Sequence, residues 1–100
     1  MKGYYIISLK WTSRADSWIT FWRKEAQGYT INKEWAGTFP EGYAKNSDNQ
    51  IEVDAELVDP LFVNSPHEGH YWEMIPNTIA VCKILELDRK KMRHERYKTC

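Results

Sequence analysis

Tyr4-Tyr5-Ile6-Ile7-Ser8-Leu9-Lys10-Trp11, joined by Thr12 to Ser17 to Trp18-Ile19-Thr20-Phe21-Trp22-Arg23, is the stretch that decides the fold. Both runs are rich in β-branched and aromatic residues and read as strands. Successive side chains of a strand point to opposite faces. Tyr5, Ile7, Leu9 and Trp11 therefore share one face, and Tyr4, Ile6, Ser8 and Lys10 the other. On the second run Ile19, Phe21 and Arg23 oppose Trp18, Thr20 and Trp22. The short polar link predicts an antiparallel hairpin. Neither strand has a clean polar side. One face must line the core, and the other needs a cover or a partner.

Working outward, Gln27-Gly28-Tyr29 reads as a turn into a short third strand that reaches Ile31. Asn32 to Gly37 suggests a turn or short helix, and Thr38-Phe39-Pro40-Glu41 the start of another, with proline in its first turn. Gln50-Ile51-Glu52-Val53-Asp54-Ala55 alternates, which predicts a half-buried strand with Ile51, Val53 and Ala55 inward. Glu56 to Val63 reads as a helical turn interrupted by Pro60. Asn64 to Gly69 reads as a loop, and His70 to Ile75 as a last strand. Asn77 is the expected N-cap of a helix from Thr78 to about Leu87. Its buried stripe would hold Val81, Ile84, Leu85 and either Leu87 or Cys82. Asp88 would cap a basic helical piece from Arg89 to Tyr97. The expectation is an α+β fold: a small antiparallel sheet of about four strands, one main packed helix and a basic C-terminal helical segment. Residues 1–100 form a single compact domain, with 88–100 as the basic extension.

The chain has 100 residues, 14% of them aromatic and five of them tryptophan, more than a disordered chain carries. Its 14 Lys/Arg balance 14 Asp/Glu, which argues against a generally basic nucleic-acid binder and a generally acidic mimic of nucleic acid. The charge is unevenly spread: net +3 over 1–40, −7 over 41–76 and +4 over 77–100. Opposite charges on middle and ends suit a homo-oligomer. No apolar run approaches a membrane span, so no membrane partner is expected. The N-terminus shows no secretory signal, and two cysteines, Cys82 and Cys100, fit a reduced cytoplasmic protein better than a disulfide scaffold.

Motifs for catalysis are missing: there is no nucleophile elbow, no phosphate-cradling glycine loop and no zinc-protease helix. His67 and His70, with Glu68 and Glu73 nearby, have too few companions for a zinc site. No catalytic residue, metal or cofactor is expected. Among Glu52, Asp54 and Glu56, neighbours two apart share a strand face and read as a solvated stripe. The run from Arg89 to Lys98 holds six Lys/Arg in ten residues and reads first as a solvated end that pairs with the acidic middle. The aromatic set carries more information. Trp18, Trp22, Tyr29 and Trp35 lie in the first half of the chain with Lys10, Arg23 and Lys24. Flat rings beside cations suit stacked nucleotide-like ligands and equally suit protein hot spots. These seven residues are the candidate ligand or partner site.

Tyr5 to Thr12, Ile19-Thr20-Phe21-Trp22-Arg23, Gly28-Tyr29, Ala36-Gly37-Thr38-Phe39 and Pro76-Asn77-Thr78 together resemble a family of small uncharacterised phage and prophage proteins. The resemblance spans most of the chain and departs at Trp11, where that pattern has histidine. It implies a phage accessory protein, expressed in the cytoplasm of its host bacterial cell, that antagonises a bacterial defence system. Such a protein would be non-enzymatic, binding either a host defence protein or a nucleotide-derived signalling molecule. The alternatives are a small nucleotide-hydrolysing enzyme using His67, His70 or the Glu52/Asp54 stripe, and a nucleic-acid-binding accessory protein using the C-terminal segment.

Overall fold

The computed structural model describes residues 3–92. Four strands, β1 (Tyr4–Ser8), β2 (Phe21–Trp22), β3 (Tyr29–Thr30) and β4 (Gln50–Asp54), form an antiparallel sheet in the order β3-β2-β1-β4. Ile7 faces Phe21 across the first pair, and Tyr5 faces Val53 across the β1–β4 pair. A second, two-stranded sheet pairs β5 (Val63–His67) with β6 (His70–Met74). The helices are short: α1 (Ala55–Val58) and the main one, α2 (Ile79–Leu85). The α+β architecture with a four-stranded antiparallel sheet is as the sequence predicts.

Strand lengths differ from the expectation, and the cause is local hydrogen bonding. β1 stops at Ser8 because hydroxyl groups supply a turn there. The Trp11 amide donates to Ser8 Oγ at 3.0 Å, and Thr12 Oγ1 donates to the Ser8 carbonyl at 2.6 Å. Such local bonds compete with a ladder. Trp11 therefore leaves the core face and is 42% exposed. Trp18 makes only an isolated bridge to Pro76. Thr38 to Glu41 starts no helix. Phe39 instead bridges Tyr4 with two hydrogen bonds of 2.8 and 2.9 Å, extending the sheet beside β1. The chain reaches that position by crossing the end of β2, where a Cβ on Gly37 would lie 2.7 Å from Lys24 Cα. Only glycine permits that approach.

Asn64 to Gly69 is strand and turn rather than loop. Pro66 masks the strand in the sequence, but β5 is an edge with one partner, where a missing N–H is tolerated. Glu68 and Gly69 turn the hairpin with φ of 50° and 84°, the left-handed pair that favours tight two-residue turns. On α2 the N-cap is Thr78, whose side chain accepts from the Val81 amide, and not Asn77. The helix ends at Leu85 because Glu86 adopts a left-handed φ of 58°. Cys82 and Leu85 are buried, whereas Ile84 is 48% exposed. Ala55 begins α1 instead of ending β4.

One face of the four-stranded sheet carries the core: Tyr5, Ile7, Phe21 and Val53 pack with Val58, Ile75, Cys82, Leu85 and Met92. Tyr5, Phe21 and Phe62 form a mutual ring cluster with centroids 5.5 to 5.7 Å apart. Tyr5 also donates from its hydroxyl to Asp59 Oδ1 at 2.8 Å. Burial, then that hydrogen bond and the Asp59 charge, then the Glu73 charge push its phenol well above the ordinary value. The sign follows from linkage: a raised folded-state pKa adds stability below the unfolded value near 10 and loses it as pH climbs beyond. Wild type is thus expected to lose stability in urea melts above about pH 10, and Tyr5→Phe to lose less over that interval.

Candidate functional site

The opposite face of the sheet is where the sequence left the question of cover or partner. It is half covered. Over Ile6, which is fully buried, the segment from Phe39 to Asn46 folds back. Trp22 meets Phe39 edge-on at 6.2 Å, and Phe39 lies 4.7 Å from Tyr43. This flap is held by the β4 edge. Glu52 Oε1 accepts from the Gly42 amide at 2.9 Å, and the Glu52 amide donates to Asn46 Oδ1 at 2.8 Å. Gln50 Nε2 donates to the Lys45 carbonyl at 2.9 Å.

The described residues leave the other half of this face open. A cleft of about 410 Å³ is lined by Trp11, Thr20, Tyr29, Thr30 and Ile31. Trp11 and Tyr29 form its aromatic walls, with centroids 5.8 Å apart and a tilt of 49°. Tyr29 is 49% exposed, and Lys10 sets its ammonium 5.5 Å from the Trp11 ring. Thr20 Oγ1 is occupied by the Trp11 carbonyl at 3.3 Å, which fixes the turn that presents the indole. A second cleft of about 330 Å³ shares Thr20 and Ile31 with the first and adds Asp16, Ser17, Trp18 and His67.

The seven candidate residues thus divide into separate surfaces. Tyr29 lines the first cleft, with Lys10 at its rim through Trp11, and Trp18 lines the second. Trp22 lies half-buried between the flap and a smaller hollow that it shares with Tyr29. Arg23, Lys24 and Trp35 line a different cleft together with Glu25 and Glu34. There the Arg23 guanidinium stands 5.6 Å from the Trp35 ring, whose edge meets Trp72 at 5.3 Å. Trp11, Asp16, Ser17, Thr20, Thr30, Ile31 and His67 also line these two clefts and are not among the seven candidates. For Trp11, the serine three residues before it and the threonine after it were the available signal.

His67 and His70 close the hairpin, and the His67 ring lies 4.5 Å from Trp72. Asp54 caps α1 by accepting from the Glu56 amide at 2.9 Å, and Glu52 anchors the flap. Among the described residues no three His, Cys, Asp or Glu side chains gather as a metal set. Arg89 is a structural clamp: it donates to Asn77 Oδ1 at 2.9 Å and to the Arg14 carbonyl at 3.2 Å. Arg14 Nε returns a bond to the Arg89 carbonyl at 2.9 Å. Lys91 pairs with Asp48 at 3.1 Å, so basic end and acidic middle meet within the chain. The remainder of the basic run, Arg93 to Lys98, and Cys100 lie outside the described residues. No helix of the described residues is long and apolar enough to cross a membrane. No family model, curated protein or solved structure matches the chain.

Proposed function

We propose that this chain is a non-enzymatic binding protein of phage origin that antagonises a bacterial defence system by gripping a protein of that system. The observation that carries the binding role is the open half-face, an aromatic cleft held in shape by the Ser8–Thr12 turn. Its phage origin and anti-defence role rest on the sequence resemblance. Of the two occupants the resemblance implies, the geometry favours a protein over a nucleotide-derived signal. Trp11 and Tyr29 are tilted and touch each other, so no base slides between them. No described lining residue is charged, whereas phosphates are gripped through charge-assisted bonds. The Arg23–Trp35 cleft has cations, but Glu25 and Glu34 line it too and oppose a phosphate.

Exposed Trp and Tyr at the centre of an interface each contribute about 2 kcal/mol or more on truncation. Trp11→Ala with Tyr29→Ala is therefore expected to weaken the complex by roughly 100-fold or more. The test is phage plating on a panel of bacterial strains, each expressing one defence system. Wild type should restore plaques on at least one strain. The double variant, shown by circular dichroism to be folded, should not. Equal rescue by both proteins, or rescue by neither on every strain, contradicts the proposal.

A further inference from the structure

Ile31 separates the two clefts and also ends the sheet. β3 is the outermost strand, with β2 on one side only. Because Phe21 pairs with Thr30 and the Arg23 amide donates to the Gly28 carbonyl at 2.8 Å, the Tyr29 main-chain groups point away from β2. Ile31 forms no backbone hydrogen bond with any described residue. Among the described residues an unpaired edge therefore runs beside both clefts. The clefts differ in chemistry. The described lining of the first has two aromatic walls and no charged residue. The second is lined by both Asp16 and Trp18. One oxygen of Asp16 accepts from the Ser13 amide at 2.8 Å, and no cation of the described chain pairs with it. A cleft lined by a carboxylate and an indole can receive a guanidinium or ammonium group.

From this edge and these two clefts, we infer that the partner docks an extended segment along β3. The segment places an apolar side chain against Trp11 and Tyr29 and an Arg or Lys side chain between Trp18 and Asp16. The inference rests on the protein-binding reading above and names the chemistry of its partner. Side chains two apart in an extended segment share a face, so the expected pattern is an apolar residue and a basic residue with one residue between them. Main-chain bonds to the edge supply affinity, and the two clefts supply selectivity.

A random dodecapeptide library displayed on ribosomes, selected against the full chain, tests this. Enriched sequences should share an apolar and a basic residue in that alternation. Changing the basic residue to Gln should weaken binding by up to about tenfold. Asp16→Asn, which keeps an oxygen for the Ser13 amide, should weaken the parent peptide similarly and leave the Gln peptide almost unaffected. A purely structural role for Asp16 would weaken both peptides equally. Three results overturn the inference: no enrichment, enriched sequences without a basic residue, or additive effects of the two changes. Peptides that need Trp11 and Tyr29 but no basic residue would overturn it while leaving the protein-binding reading intact.

Discussion

Phe21→Ala is expected to lower folding stability by about 3–5 kcal/mol. The ring is fully buried and meets both Tyr5 and Phe62. It sits on β2, which joins β3 to β1. Truncation loses the transfer free energy of the ring and opens a cavity that the paired strands cannot collapse to fill. A domain of this size has about 5–15 kcal/mol in total, so the variant stands near the edge of folding at 37 °C. Urea denaturation should show a lower midpoint at an unchanged slope. A loss under 1 kcal/mol would mean that Phe21 does not occupy the core.

Asn77→Ala carries the second large effect, a loss of about 2–4 kcal/mol. Its side-chain amide donates at 3.0 Å to the carbonyls of both Ser13 and Asp16. Its Oδ1 accepts from Arg89 at 2.9 Å and lies 3.6 Å from the Cys82 sulfur. One side chain thus ties the turn before β2, the first turn of α2 and the last described segment together. Alanine leaves two carbonyls and a guanidinium without this partner, and abandoned polar groups cost more than the bonds themselves return. Thr78→Ala removes only the helix cap and should cost about 1 kcal/mol. Chemical denaturation of the two variants compares these roles directly. If Thr78→Ala costs more than Asn77→Ala, the hub assignment is wrong.

That pair of residues also shows how far the sequence can be read. Pro76-Asn77-Thr78 marks a helix start, and a helix follows. Which residue caps it was not legible, because Asn77 is drawn off by Ser13, Asp16 and Arg89, all distant in sequence. The β1–β2 pairing was legible in the dense β-branched and aromatic runs, as was the alternation of β4. The end of β1 was not, because hydrophobic alternation places Trp11 inward whereas the hydroxyls of Ser8 and Thr12 turn the backbone. β5 was hidden by Pro66, which is harmless on an edge strand. The Phe39 bridge to Tyr4 depends on Gly37 slipping past Lys24, a crossing that leaves no periodic trace. The aromatic excess was legible as a surface in search of a cover. Its division into a closed half under Phe39 and Tyr43 and an open half at Trp11 and Tyr29 needed the fold.

Site-specific photo-crosslinking tests the central claim, that the open half-face is the contact surface, most directly. Benzoylphenylalanine would be installed at Tyr29, or at Tyr71 on the hairpin, which is 73% exposed, in cells carrying a defence system against which the plating test finds that the chain restores plaques. Irradiation should join Tyr29-labelled chains to a component of that system and leave Tyr71-labelled chains free of it. Adducts with that component at Tyr71 and none at Tyr29 would contradict the account.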